Sequence, residues 1–142
     1  MGLIDTNLLV YAHNELSSYF IGAKTFLKNQ ANRSELCFTP QIFLEAYRIF
    51  TQKIEKPLTI KQAWQVIGYY QTFPSVRIVY PKASVLTIIE RLSVRYKIKG
   101  SRIFDTYLVA TMLCNDIKTI YTHNVKDLIM GTEPLFLYQL VV

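Results

Sequence analysis

The chain has 142 residues, 51% of them hydrophobic and only 18% charged, which makes one globular domain with a sizeable core and excludes a disordered chain. Sixteen basic residues against ten acidic ones leave a formal charge of +6, a balance that favours a polyanionic partner such as nucleic acid. No apolar run reaches the ~18–20 residues a membrane helix needs, and no basic leader with an apolar stretch marks a secretory signal. Cys37 and Cys114 sit far apart in apolar segments, as two free thiols in a reducing cytoplasm would.

Gly2 to Ile4 forms a short predicted strand, and Asp5-Thr6-Asn7 then offers a helix start before Leu8-Leu9-Val10-Tyr11-Ala12. A second helix is predicted from Ser17 or Ser18 to about Gln30, with Phe20, Ala23, Phe26 and Leu27 as its apolar stripe. Glu35 to Thr39 is a second strand, and Pro40 suits the first turn of a helix running to about Lys53. Pro57 separates that helix from the next, over Thr59 to Thr72. Ser75 to Tyr80 is a third strand, and Lys82 to about Tyr96 a helix with Val85, Ile88, Ile89 and Leu92 inward. Gly100 breaks the chain, and Ser101 is positioned to cap a helix from Arg102 to about Asn115, apolar almost all round and therefore central. Lys118 to Tyr121 is a fourth strand, Thr122 to Asp127 a polar loop, and Leu135 to Leu140 a fifth strand. Short apolar strands alternating with helices predict an α/β/α sandwich around a mostly parallel sheet, as a single domain over residues 1–142.

Three acids interrupt apolar surroundings: Asp5 after Gly2-Leu3-Ile4, Glu45 within Ile42-Phe43-Leu44-Glu45-Ala46-Tyr47, and Asp105 within Ile103-Phe104-Asp105-Thr106-Tyr107-Leu108. An isolated buried carboxylate costs several kcal/mol unless a partner or metal compensates it, and a hard divalent cation takes several carboxylates at once. In an open α/β sheet, ligands sit beyond the carboxyl ends of the strands, where Asp5 and the loop holding Asn124 and Asp127 fall. The first turn of the Asp105 helix suits a carboxylate through the helix dipole. Each acid has a plain alternative: Asp5 as a helix cap, Glu45 paired with Arg48, Asp105 paired with Arg102. No Gly-rich phosphate loop, nucleophile elbow or C-x-x-C is present, and two histidines make a His-rich zinc site improbable. The second Asp of a haloacid-dehalogenase phosphatase is replaced by Asn7, which disfavours a small-molecule phosphohydrolase. Carboxylate, amide and hydroxyl oxygens remain, and these suit Mg²⁺ or Mn²⁺. Arg91, Arg95, Lys97, Lys99 and Arg102 cluster just before Asp105, as a solvated helix face and loop or as contacts to substrate phosphates.

Three stretches resemble PIN-domain ribonucleases, in particular VapC-type toxins of toxin–antitoxin pairs. They are Leu3-Ile4-Asp5-Thr6-Asn7-Leu8-Leu9-Val10-Tyr11-Ala12, then Thr39-Pro40-Gln41 through Glu45-Ala46-Tyr47-Arg48, then Ser101-Arg102-Ile103-Phe104-Asp105-Thr106 through Thr122-His123-Asn124-Val125-Lys126-Asp127-Leu128. The resemblance implies that Asp5, Glu45 and Asp105 ligate metal. It offers Asp127 as a fourth acid, with Asn124 standing where many relatives have Asp. Thr6 and Thr122 match hydroxyl positions that orient ligands or a water, Asn7 is expected to brace the first loop, and Arg102, Arg95 and Lys99 are candidates for substrate phosphates. One or two Mg²⁺ or Mn²⁺ ions would activate water for in-line attack on an RNA phosphodiester. The expected protein is a cytoplasmic homodimeric endoribonuclease cutting single-stranded or looped RNA, silenced by a cognate antitoxin. A catalytically weak RNA-binding or scaffold protein is the rival, supported by Asn124.

Overall fold

The computed structural model describes residues 1–124 and the backbone of residues 137–140. Five strands make one sheet: β1 (Gly2–Ile4), β2 (Leu36–Phe38), β3 (Val76–Ile78), β4 (Thr119–Thr122) and β5 (Leu137–Leu140). Their order is β3-β2-β1-β4-β5, and every neighbouring pair is parallel. The expected mostly parallel sheet is thus parallel throughout. Leu3 and Ile4 point to opposite faces yet neither exposes any surface, the mark of a sheet covered on both sides. Gly2 is required by a neighbour: a Cβ there would strike the Tyr121 ring, which Gln30 holds by a 2.9 Å bond to its hydroxyl.

Among the described residues six helices connect the strands: α1 (Thr6–Tyr11), α2 (Phe20–Ala31), α3 (Pro40–Gln52), α4 (Ile60–Gln71), α5 (Val85–Tyr96) and α6 (Arg102–Cys114). Helix α1 packs on α2 and α3, α3 on α4, and α5 on α6. The caps explain several boundaries. Asp5 accepts from the Thr6 amide, Thr39 from the Ile42 amide with Pro40 in the first turn, and Thr59 forms a capping box with Gln62. Helix α2 begins later than Ser18 because the Ser17 hydroxyl and carbonyl take the Tyr19 and Phe20 amides in a turn. Helix α5 begins at Val85 rather than Lys82, since the Lys82 carbonyl accepts the Val85 amide in a preceding turn.

Two expectations about α6 need correction. Ser101 has helical backbone angles and makes no side-chain cap; Gly100, at φ 62°, turns the chain, and the Gly100 and Ser101 carbonyls take the Ile103 and Phe104 amides. The helix is also not buried all round. Leu108, Val109, Ala110 and Met112 lie in the core, but Phe104 is 60% exposed. Cys37 is buried and Cys114 half-buried, both as free thiols. Among the described residues no helix is long and apolar enough to cross a membrane.

Candidate active site

The strand order places β1 between β2 and β4, so successive connections leave β1 in opposite directions and open a crevice at the carboxyl ends. Asp5 follows β1 there and Thr122 ends β4. The Asp5 amide donates to the Tyr121 carbonyl at 3.0 Å, which ties the end of β1 to its neighbour.

The Asp5 carboxylate is held at both oxygens. Oδ1 accepts from the Thr6 amide at 2.8 Å; Oδ2 accepts from Thr122 Oγ1 at 2.6 Å and from Asn7 Nδ2 at 3.2 Å. Thr6 reaches on from there, its hydroxyl donating to Glu45 Oε2 at 2.8 Å. One residue therefore touches both acids, through its amide and its hydroxyl. Thr6 and Thr122 are buried, at 7% and 0% exposure, so these bonds form away from competing water. Thr122 Oγ1 in turn accepts from Asn7 Nδ2 at 3.4 Å and from the Asn124 amide at 3.0 Å. Asn7 Oδ1 accepts from the His123 amide at 3.3 Å. Asn7 thus ties the start of the loop after β4 to the first helix.

Glu45 is half-buried on α3, and its second oxygen accepts from Gln41 Nε2 at 2.9 Å. Neither bond is the Arg48 pairing weighed as an alternative. Gln41 Nε2 also donates to the Phe104 carbonyl at 3.1 Å, linking Glu45 to the residue before Asp105. Asp105 lies half-buried in the first turn of α6. A cleft of about 450 Å³ opens between the two helices, lined by Gln41, Leu44, Glu45, Arg48, Phe104 and Tyr107 with Pro40.

The structure thus joins Asp5 to Glu45 through Thr6, and Glu45 to the start of α6 through Gln41. Among the described residues it forms no group of three or more His, Cys, Asp or Glu side chains able to hold an ion. Asn124 is exposed and engaged through its backbone; Asp127 lies outside the described residues. Arg102 and Lys99 are exposed around the start of α6, and the Arg95 guanidinium lies 5.3 Å from the Tyr96 ring centroid. The arginine lining the cleft with Glu45 is Arg48.

Three contributors were missed as site residues. Gln41 stands four residues before Glu45, a spacing that brings helix side chains together, so the signal was present. Tyr11 and His123 were not recognisable from spacing. The His123 ring lies tilted 4.2 Å from the Tyr19 ring and meets Tyr11 edge-on at 5.4 Å. Burial, then Tyr19 and then the Asp5 charge hold the Tyr11 phenol above its ordinary pKa, which places this aromatic group beside the first acid.

The donors that meet are all oxygen, two carboxylates with hydroxyls behind them. Mg²⁺ keeps several waters and is bound through one or two protein carboxylates, so the Asp5–Glu45 pair has the chemistry a hard ion needs. The class so defined is a doubly wound α/β protein with an acidic, hydroxyl-braced crevice at its topological switch point. The chain belongs to the PIN-domain family, whose model matches residues 2–126. Ribonuclease VapC24 of Mycobacterium tuberculosis is 27% identical over 127 residues, spanning 87% of this chain and 86% of that protein. Among solved structures, Mycobacterium tuberculosis VapC20, described as a toxin cleaving the sarcin–ricin loop, superposes with a TM-score of 0.70 at 12% identity, over 89% of this chain and 92% of that one. VapBC2 of Rickettsia felis, solved on a DNA fragment from its promoter, gives a TM-score of 0.71 at 14% identity, over 99% and 98% of the two chains. These likenesses are likenesses of fold.

Proposed function

We propose that the chain is a divalent-metal-dependent endoribonuclease, the toxin of a toxin–antitoxin pair, with Asp5, Glu45 and Asp105 as its metal-holding acids. The observation that carries this reading is the Thr6 bridge, which joins two carboxylates at the switch-point crevice of a PIN-domain chain. The relative named a ribonuclease and the structural neighbour described as a toxin cleaving the sarcin–ricin loop support it. Asp127 is proposed as a further ligand, with Asn124 as a neutral oxygen near it.

Asp5, Glu45 and Asp105 would hold Mg²⁺ or Mn²⁺, whose positive charge would make a water more acidic and screen the phosphodiester. The chain's own contribution is positioning. Thr122 and Asn7 fix Asp5 Oδ2, the Thr6 amide fixes Oδ1, and Thr6 with Gln41 fixes both Glu45 oxygens. With its orientation set in advance, each carboxylate needs little reorganisation as charge develops on the reacting phosphate. Arg48, in the cleft with Glu45, meets a substrate phosphate; Arg102, Arg95 and Lys99 extend the basic surface along the RNA. The exposed side chains Leu44, Trp64 and Phe104 give a homodimer an apolar surface.

The test is cleavage of a structured RNA in Mg²⁺ or Mn²⁺, with chelated and Asp5→Asn controls. Metal-dependent scission lost in Asp5→Asn is the expected result, and scission surviving both controls contradicts the site. The reading as an RNA-binding scaffold draws on the lack of a three-acid group among the described residues. RNA binding with no metal-dependent scission would favour it.

A further inference from the structure

The opposite end of the sheet, where the strands begin, carries a second cavity. Its volume is about 570 Å³, and Leu36 and Val76, the first residues of β2 and β3, lie in its wall. That volume falls within the range of roughly 300–1,000 Å³ typical of small-molecule sites. Most of its lining is apolar or aromatic, including Phe20 and Leu27 of α2 and Tyr70 of α4. None of the proposed metal-holding acids lines it.

A few polar groups converge on this apolar space. His13, just past the end of α1, shares a 2.7 Å hydrogen bond through Nε2 with the Tyr70 hydroxyl, and its ring meets Phe50 and Tyr70 edge-on. Burial, and then the Lys24 charge, lower the His13 pKa from 6.5 to about 4, so the imidazole is neutral at pH 7. The remaining charges of the lining are Lys24 and Lys28 against Glu15, which leaves the cavity with a net positive charge. Lys24 and Lys28 stand four residues apart on α2 and so project from the same side of it, where they can share one anionic group. The Lys24 ammonium lies 5.2 Å from the Phe20 ring centroid, which puts a cation beside an aromatic wall.

We propose that this cavity binds a small aromatic anion, its planar ring lodged among Phe20, Leu27 and Tyr70 and its carboxylate or phosphate on Lys24 and Lys28. The shape selects a ring, because aromatic side chains offer faces and edges for offset or edge-on contact. The charge selects an anion, because a cation would meet two lysines and a neutral ring would leave them unused. A nucleoside monophosphate and an aromatic carboxylate share this chemistry. The inference rests on the cavity alone and stands apart from the proposed nuclease activity.

The test is fluorescence titration of the full chain with 8-anilinonaphthalene-1-sulfonate, an aromatic sulfonate, followed by competition with adenosine monophosphate and with indole-3-acetate. The proposal expects one saturable site. It also expects the His13 ring protons to shift in the NMR spectrum more than those of His123, which lies outside the lining against Tyr11 and Tyr19. The Lys24→Glu/Lys28→Glu variant, altered only at exposed positions, weakens binding at least tenfold with its melting curve unchanged. Ala31→Phe, which fills the cavity from α2, weakens it as well. Displacement by the nucleotide identifies a phosphate ligand, and displacement by indole-3-acetate a carboxylate. Displacement by neither, affinity unchanged in both variants, or shifts at His123 instead of His13 would overturn the proposal.

Discussion

Thr122 shows how much a single buried hydroxyl can determine at this site. It donates to Asp5 Oδ2 at 2.6 Å and accepts from Asn7 and Asn124, so the first acid's orientation depends on a residue more than a hundred positions away. Groups that orient metal ligands typically contribute 10–100-fold to affinity or activity. Thr122→Val, which keeps the shape and removes the hydroxyl, should lower RNA cleavage by about that factor, and Thr122→Ser should restore most of it. Steady-state cleavage at several Mn²⁺ concentrations checks this: a positioning role moves the metal dependence, whereas mere destabilisation leaves it in place. The sequence made Asp5 legible because an acid directly after a buried strand has one natural place, the strand's carboxyl end. The Thr6 bridge was not legible, since nothing local to residue 6 announces a partner at residue 45.

At the scale of elements, the start of α3 and the start of α6 make an instructive contrast. Both carry a hydroxyl residue just before the helix, though only Ser101 is expected from the sequence to act as a cap. Thr39 has extended angles and its hydroxyl, 2% exposed as a residue, accepts from the Ile42 amide at 3.2 Å. Ser101 has helical angles and caps nothing, because Gly100 has already turned the chain and backbone carbonyls take the first amides. Thr39→Ala should therefore cost about 1 kcal/mol of stability, while Ser101→Ala stays within about 0.5 kcal/mol. Urea denaturation of the two variants measures both; equal losses would contradict the assignment of the caps. Helix interiors were legible from their periodicity. The start of α5 was not, since Lys82, Ala83 and Ser84 suit a turn as well as a helix. Arg48 stood out in the sequence only as a partner for Glu45, since basic residues crowd before Asp105, whereas the structure puts it in the cleft between α3 and α6.

For the whole molecule, the parallel sheet places two sites at opposite ends, an acidic crevice where strands end and a basic-rimmed cavity where they begin. The mostly parallel sheet, and hence this polarity, followed from alternating strands and helices, whereas the cavity has no linear signature because the turn after α1, α2, α4 and two strands contribute to it. His13 gives the second end a measurable effect on stability. Its folded pKa of about 4 lies below the ordinary 6.5, so between those values the unfolded chain binds more protons. The contribution of neutral His13 is complete above about pH 6.5 and is lost as pH falls towards 4, a change of up to about 3 kcal/mol. Denaturant unfolding between pH 4 and 7 should show stability rising with pH, with a shallower slope in His13→Gln. An unchanged slope would contradict the burial of the neutral imidazole.

The central claim is that the acids joined at the switch-point crevice hold the ion that makes RNA cleavage possible. Its most direct measurement is the single-turnover rate of cleavage of an end-labelled structured RNA, titrated with Mn²⁺ for the native chain and for Glu45→Gln. The account predicts saturating metal dependence in the native chain and, in the variant, a midpoint shifted to at least tenfold higher Mn²⁺ with a depressed plateau, the amide being a poorer ligand than the carboxylate. Superimposable metal curves for the two proteins would contradict it.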